Sequence, residues 1–120
     1  MKKLADSFFL YGYTKARLIL ESKHVAKYLP DTNQMQQILE KEGSAHVFND
    51  EATMFRVTQA IMETGEFTGV VRGHERYELF FVEPIGYRIS IGGSRISLYY
   101  TEMKVKGNKY HVIPRTKPSR

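Results

Sequence analysis

The hydrophobic period of this sequence changes near Gly65, and that change limits the folds open to the chain. Before Gly65, apolar residues recur every three or four positions, which predicts amphipathic helices. After Gly65, segments rich in β-branched and aromatic residues alternate with glycine or proline, which predicts strands. Helices followed by a run of strands are typical of an α+β domain.

Two helices are predicted before residue 44. The first covers residues 14–29, where an apolar face continues until Pro30 ends it. The second covers residues 30–43 and ends at Gly43, with a stripe of apolar residues facing the core. Its candidate N-caps are Asp31, Thr32 and Asn33, and its stripe is Met35, Ile38 and Leu39.

A third helix, over residues 49–65, has the clearest boundaries. Asn49 is its expected N-cap, and Phe48 just before it is expected to pack on the helix as a hydrophobic staple. The connector before this helix also contains His46. His46 is either a structural neighbour of the staple or an acid-base group, and both interpretations stay open.

Strands are predicted throughout the second half. Their connectors are short, which favours antiparallel neighbours because a parallel crossover needs a dozen or more residues. We therefore expect N-terminal helices packed on a C-terminal antiparallel β-meander of four to five strands. Residues 1–120 have the size of a single domain, with a basic flexible tail at about 115–120. The strand segments are 67–73, 77–83, 86–91, 95–105 and 109–115.

The charge balance favours a polyanionic partner. The chain has 18 Lys and Arg residues against 13 Asp and Glu residues, for a net charge of +5. It has no cysteine, which excludes disulfides, thiolate catalysis and sulfur-ligated zinc. No His/carboxylate pair has the i, i+4 spacing of a helical zinc site, and the "GGS" turn lacks the lysine of a phosphate-binding loop. Neither a metal nor a cofactor is expected.

No apolar run reaches the length of a membrane span, so no membrane partner is expected. Asp6 interrupts the short apolar N-terminal run, and no small-residue cleavage site follows it. A signal peptide is therefore not expected, and the predicted location is the cytoplasm.

His24 is the first candidate for acid-base chemistry. It lies between Lys23 and Lys27, whose ammonium groups lower the pKa of an imidazole and favour its action as a base. The alternative is a histidine on a solvated helix surface. His111, in the last strand, also has cationic neighbours, whereas His74 is expected to be exposed in a turn.

Arg88 is the candidate phosphate ligand. Strand alternation places it with Ser90 on one face, which hydroxyl groups of the next predicted strand could share. A guanidinium there would bind phosphate through two hydrogen bonds and stabilise the charge of a pentacoordinate phosphorus. The alternative is an ordinary solvated sheet face. Tyrosines of the last strands, including Tyr110, would either stack on bases or pack in the core.

The order of four features resembles toxin-type ribonucleases of the barnase/EndoU/colicin/RelE class. These are a helix with Lys23-His24, the segment "AIMETGEFTG", the strand "GYRI" and a final strand "YHVIPRT". The resemblance implies an α+β fold and metal-independent cleavage of RNA. In that reaction a ribose 2′-hydroxyl attacks the adjacent phosphate and leaves a 2′,3′-cyclic phosphate.

The resemblance also implies roles for individual residues. His24 would be the general base or acid, Arg88 the phosphate clamp, and Thr101 or Ser97 a hydroxyl near the phosphate. His111 or Tyr110 would complete the site. Apart from the resemblance, His46 stays the second choice after His24, because the short connector between Gly43 and Asn49 fixes its backbone. The catalytic candidates are His24, His46, Arg88, Thr101 and His111, and the RNA-binding candidates are Lys23, Lys27, Ser97, Tyr110 and Arg115.

The expected partners are RNA, with tRNA as one candidate, and a neutralising immunity or antitoxin protein. Two other functions stay open. A binding module would use the same basic face without chemistry, and a protein-interaction domain could form a homodimer along an exposed strand edge. Catalysis requires that His24, Arg88, Thr101 and either His46 or His111 converge in one cleft.

Overall fold

A computed structural model describes residues 8–10, 13–15 and 18–117, the first two ranges by their backbone alone. The helices are α1, Asn33–Glu42, and α2, Glu51–Thr64, with two short 3-10 helices at Ser22–His24 and Ala26–Tyr28. The strands are β1 Phe8–Leu10, β2 Tyr13–Lys15, β3 Ile19–Leu20, β4 Ser44–Phe48, β5 Glu66–Val71, β6 His74–Phe80, β7 Gly86–Ser90, β8 Arg95–Leu98, β9 Tyr100–Lys106 and β10 Lys109–Arg115.

The described strands form three sheets. β1 and β2 pair with each other, a five-stranded sheet has the order β3-β10-β9-β6-β5, and a three-stranded sheet has the order β4-β7-β8. All neighbours are antiparallel except β3 and β10, which are parallel. The fold is therefore mixed α+β, as predicted. A single C-terminal meander beneath N-terminal helices is wrong, because strands also precede and separate the helices.

The predicted segment 95–105 contains two strands that belong to different sheets. β8 ends at Leu98 in the three-stranded sheet, and β9 begins at Tyr100 in the five-stranded sheet. The chain changes sheets at Tyr99, whose carbonyl accepts a hydrogen bond from the Phe81 amide at 2.8 Å. A strand pattern continued through Tyr99 therefore places residues of β8 and β9 on one sheet face, although the two strands belong to different sheets.

Helix α1 confirms the boundaries read from its sequence. The Thr32 hydroxyl accepts a hydrogen bond from the Met35 amide at 3.1 Å and caps the first turn. Gly43 has a φ of 85° and donates its N–H to the Leu39 carbonyl, as left-handed glycines at helix ends do. Met35 is buried, and Ile38 and Leu39 pack beside it.

Helix α2 ends at Gly65 as predicted, but its N-cap is Asp50 rather than Asn49. The Asp50 carboxylate accepts a hydrogen bond from the Thr53 amide at 2.7 Å. The backbone N–H of Asn49 instead donates to the Ile85 carbonyl at 2.9 Å, which extends the pairing of β4 toward the residues just before β7. Because this hydrogen bond fixes Asn49, the next residue with a side-chain acceptor, Asp50, caps the helix.

The first predicted helix, over residues 14–29, is wrong in the part that the structure describes. Ile19 and Leu20 form β3 beside β10, and two 3-10 helices follow. The Ile19 amide donates to the Asn108 carbonyl at 2.7 Å, and the Glu21 amide donates to the Tyr110 carbonyl at 2.9 Å. These hydrogen bonds to an available sheet edge override the local helical period. Ala16, assigned to that helix, lies outside the described residues.

The connector at residues 44–48 is strand β4, which pairs with β7. Phe48 is fully buried, consistent with its predicted packing role. One face of the five-stranded sheet forms the main core with α2, and the opposite face carries polar side chains. Core residues include Phe48, Met54, Val57, Ile61, Tyr77, Met103, Val105, Tyr110 and Val112.

The structure describes only the start of the segment predicted as a flexible tail at about 115–120. Arg115 belongs to β10 and pairs with Tyr100, so any tail begins after it. Residues 118–120 lie outside the described part of the chain. Within residues 18–117, neither helix has the length and apolar composition that crossing a bilayer requires.

Substitution of Gly86 tests the packing between β4 and β7. A side chain at Gly86 would overlap the Val47 carbonyl and press on the Phe48 backbone. We expect Gly86→Ala to lower the free energy of unfolding by about 1–3 kcal/mol in urea denaturation, since overpacked buried sites must shift backbone. Gly92→Ala is the control, because its added methyl meets no atom within 4 Å, and should change stability by less than about 0.5 kcal/mol. Equal stability of the two variants would contradict the described register.

Candidate functional site in a basic cleft

Polar side chains occupy the face of the five-stranded sheet opposite the core. His111 pairs with Lys104, and Lys104 pairs with Arg76 on the next strand. Directly paired residues share a sheet face, so these three side chains form one row across β10, β9 and β6. Glu102 occupies the next row, and Arg115 lies on the same face further along β10.

Glu102 organises this face. Its side chain has 0% exposure, and Oε1 accepts a hydrogen bond from Nη1 of Arg115 at 3.2 Å. Its other oxygen, Oε2, lies 3.5 Å from Nη1 of Arg76. Two guanidinium groups therefore balance the buried Glu102 carboxylate, as a charge at that depth requires. Arg115 is held in place through Nη1, and its guanidinium carries further N–H donors on its other nitrogens.

A cleft of about 490 Å³ opens beside Arg115. We call it the basic cleft. The second 3-10 helix, α1, the start of β4 and the end of β10 form its walls. The polar residues that line it are Lys27, Tyr28, Glu42, Ser44, His46, Arg115 and Thr116.

His46 is the titratable group of the basic cleft with the properties of a general base. It lies directly opposite Arg88 in the pairing of β4 with β7. Burial lowers the pKa of His46 below its ordinary value, and the positive charges of Arg88 and Arg115 lower it further. The neutral imidazole that results can accept a proton near pH 7.

The Arg88 side chain has unused hydrogen-bonding capacity next to this imidazole. Its Nε is buried and has no hydrogen-bond partner among the described residues. Buried donors are normally paired, so an unpaired one beside the cleft residue His46 suggests a ligand that pairs with it. Tyr28 also lines the basic cleft, and burial raises the pKa of its phenol above the ordinary value. The phenol therefore keeps its proton and can donate it.

A second group lies on the same sheet face and consists of Glu21, His24, His74 and His111. We call it the histidine cluster. Nδ1 of His111 lies 3.2 Å from Oε1 of Glu21, and the His24 ring stacks on the His111 ring with centroids 4.3 Å apart. The His74 ring meets His111 edge-on, with centroids 6.3 Å apart. Burial and the nearby His24 hold the pKa of His111 at about 4.

The predicted catalytic residues thus divide between two places. His24 and His111 meet in the histidine cluster, while His46 lines the basic cleft with Arg88 beside it on β7. His111 and Arg115 are four residues apart on β10, about 13 Å at roughly 3.3 Å per residue. The expected convergence of His24 with Arg88 is therefore not what the fold provides.

Three predicted residues lie outside both places. Thr101 is 1% exposed and its hydroxyl donates to the Leu79 carbonyl at 3.3 Å, and Tyr110 is 3% exposed in the core. Ser97 is exposed, but it pairs with Tyr87 and so faces away from Arg88. The RNA-binding candidates Lys27 and Arg115 line the basic cleft, whereas the exposed Lys23 adjoins His24 in the histidine cluster.

The sequence interpretation missed four residues, namely Glu21, Tyr28, Arg76 and Glu102. Glu102 gives no local signal, because a glutamate in a strand is usually solvated and only the two arginines make its burial possible. Glu21 and His24 do leave a signal at spacing i, i+3. In a 3-10 helix that spacing brings side chains onto the same side.

Removing the Glu102 charge should destabilise the fold. We expect the near-isosteric Glu102→Gln to lower the free energy of unfolding by about 2 kcal/mol, because it leaves two guanidinium groups beside a buried neutral amide. Arg76 and Arg115 are partly exposed, so the expected loss of stability is smaller than the ~3–5 kcal/mol that breaking a fully buried pair costs. Urea denaturation measures it, with the exposed Glu83→Gln as control. A loss below ~0.5 kcal/mol would show that the carboxylate does not anchor this face.

Comparison with known proteins gives a family but no named relative. No curated protein and no protein of solved structure matches the chain. Residues 16–119 match a family described as a domain of unknown function, DUF6972. That range includes every residue of the basic cleft and of the histidine cluster, so both are features of the matched domain. The chain belongs to the DUF6972 family.

Proposed function

We propose that this protein is a metal-independent ribonuclease-like enzyme whose active site is the basic cleft. The observation that supports the proposal most is that His46 and Arg115 line one open cleft, with Arg88 directly opposite His46 in the strand pairing. A volume of about 490 Å³ lies within the range of ligand-binding clefts. Acid-base and phosphate-binding groups in one place match the chemistry that RNA cleavage needs.

The proposed reaction begins at His46. Its neutral imidazole takes the proton of a ribose 2′-hydroxyl, and the 2′-oxygen forms a bond to the adjacent phosphorus. The bond from phosphorus to the 5′-oxygen of the next nucleotide breaks, and that oxygen takes a proton from the Tyr28 phenol. The products are a 2′,3′-cyclic phosphate and a free 5′-hydroxyl. The phenolate then recovers the proton from the His46 imidazolium through solvent.

Arg88 and Arg115 have an electrostatic role in this scheme. The negative charge on the phosphate oxygens is greatest when phosphorus is five-coordinate, and fixed guanidinium donors stabilise that state. Arg115 is already fixed by Glu102, so it loses little side-chain freedom on binding. Lys27 adds a further positive charge at the cleft wall.

RNA is the proposed substrate class because the reaction proposed for His46 requires a 2′-hydroxyl next to a phosphate. The net charge of +5 favours such a polyanion. Lys104 and Arg76 extend the positive surface along the sheet from the cleft. Neither tRNA as the target nor a neutralising partner protein has a structural feature assigned to it, and both stay predictions.

Cleavage assays on individual variants test the catalytic proposal. We expect the wild type to cut total RNA and tRNA in EDTA, and His46→Ala to lower the rate at least ~100-fold, the usual contribution of an acid-base group. Arg88→Gln should lower it by a similar factor, since one charged donor contributes ~10²–10³-fold in such sites. Separation of labelled products and detection of a cyclic phosphate terminus provide the measurement.

Two matched variants serve as controls. His74→Gln removes an imidazole outside the basic cleft, and Arg56→Gln removes an exposed guanidinium on α2. Both should cut at the wild-type rate. If wild type binds RNA with steep salt dependence but leaves it intact, the protein is a binding module. If it neither binds nor cuts, the remaining open function is protein interaction.

The pH dependence of cleavage tests the role of His46 itself. The acid limb of kcat/KM should lie below pH 6.5, because the pKa of His46 is lowered and the base works only when unprotonated. Arg88→Gln removes a nearby positive charge, which makes the imidazolium less unfavourable and raises the pKa of His46. The acid limb of that variant should therefore move to higher pH, while Arg56→Gln leaves it in place. A limb that stays in place or moves to lower pH in Arg88→Gln would exclude His46 as the base.

A further inference from the structure

The histidine cluster has no role in the proposed cleavage, yet its donor atoms converge. The ligand atoms of Glu21, His24 and His111 all lie within 4.8 Å of one another. Two of these atoms, Oε1 of Glu21 and Nδ1 of His111, are 3.2 Å apart. Ligands of a tetrahedral zinc ion are separated by about 3.3 Å, given bond lengths of about 2.0–2.1 Å. One pair therefore already has the required spacing.

The backbone explains how residues far apart in sequence reach this point. The Glu21 amide donates to the Tyr110 carbonyl at 2.9 Å, which places Glu21 beside the start of β10. The His24 amide donates to the Glu21 carbonyl at 3.0 Å and closes a 3-10 turn. Since residues i and i+3 eclipse in that turn, Glu21 and His24 project to the same side, toward His111.

His24 provides an independent indication of a missing ligand. Its Nδ1 is buried and has no hydrogen-bond partner among the described residues. Burying a polar atom without a partner is costly, so such atoms are normally satisfied by protein, water or an ion. Because its ligand atom lies within 4.8 Å of the other two, it has at most about 1.5 Å to close to reach the roughly 3.3 Å spacing of zinc ligands.

We propose that Glu21, His24 and His111 bind one divalent transition metal ion, with zinc as the best match. Two imidazoles and one carboxylate are a donor set that Zn²⁺ accepts, and a water or His74 would fill the fourth position. The ion would join the first 3-10 helix to β10, and so fix the segment that leads to Lys27 and Tyr28 in the basic cleft. The site was not expected from sequence, because the i, i+4 spacing considered there does not describe a 3-10 turn.

Nearby charges oppose the ion and set the expected affinity. Lys23 and Lys27 lie close to His24, and Lys104 lies opposite His111. Like charges disfavour a divalent cation, and the Glu21 carboxylate offsets only part of this. We therefore expect a dissociation constant on the order of micromolar rather than the much tighter binding of closed structural sites.

Metal titration of untagged, EDTA-treated and dialysed protein tests this proposal without reference to RNA. Zn²⁺ should bind in a ratio of one per chain by calorimetry and raise the melting temperature by several degrees. Co²⁺ should give visible absorption bands of a tetrahedral ion. Glu21→Gln and His24→Gln should each weaken binding at least ~100-fold and abolish the rise in melting temperature, by loss of a direct ligand.

His46→Gln is the matched control, because it removes an imidazole from the basic cleft and leaves the histidine cluster intact. It should bind Zn²⁺ as wild type does. Glu21 and His24 are only partly buried, so their variants should fold, which circular dichroism checks. Absence of 1:1 binding, or binding that Glu21→Gln and His24→Gln leave unchanged, would overturn the metal site. Either result leaves the cleavage proposal standing, since that assay is run in EDTA.

Discussion

The polar face of the five-stranded sheet depends on the buried carboxylate of Glu102. Glu102 lies between the guanidinium groups of Arg76 and Arg115 on the sheet face opposite the core. A charge at that depth is tolerated only when opposite charges compensate it, so the three residues are fixed by one another. Arg115 reaches the basic cleft as part of this arrangement. The position of Arg115, one of the proposed phosphate ligands, therefore follows from the need to neutralise the buried Glu102 charge.

The second constraint is the parallel pairing of β3 with β10. It holds the segment after Leu20 beside the last strand, and two 3-10 helices follow directly. One of them brings Glu21 and His24 to His111, and the other brings Lys27 and Tyr28 to the cleft. The two proposed sites thus share one short segment. A metal at the first would restrict the motion of the second without touching its chemistry.

Local signals predicted several elements correctly. The Thr32 cap, the Gly43 stop and the end of α2 at Gly65 follow from side-chain hydrogen bonding and backbone freedom within a few residues. The prediction of a helix over residues 14–29 was wrong because this segment pairs with the carbonyls of Asn108 and Tyr110, which are about 90 positions away in the sequence. His46 and Arg88 were both named as candidates, but only strand pairing showed that they are neighbours.

The sequence by itself determined the mixed α+β class, the basic charge, the absence of thiol chemistry and the pool of imidazole and guanidinium groups, because composition and short-range periodicity suffice for these. The tertiary structure decided which of those groups meet. The change of sheet at Tyr99 separated Thr101 from Arg88, and the burial of Glu102 fixed Arg115 at the cleft. Such decisions arise from strand pairing and charge compensation between distant segments, which no local pattern encodes.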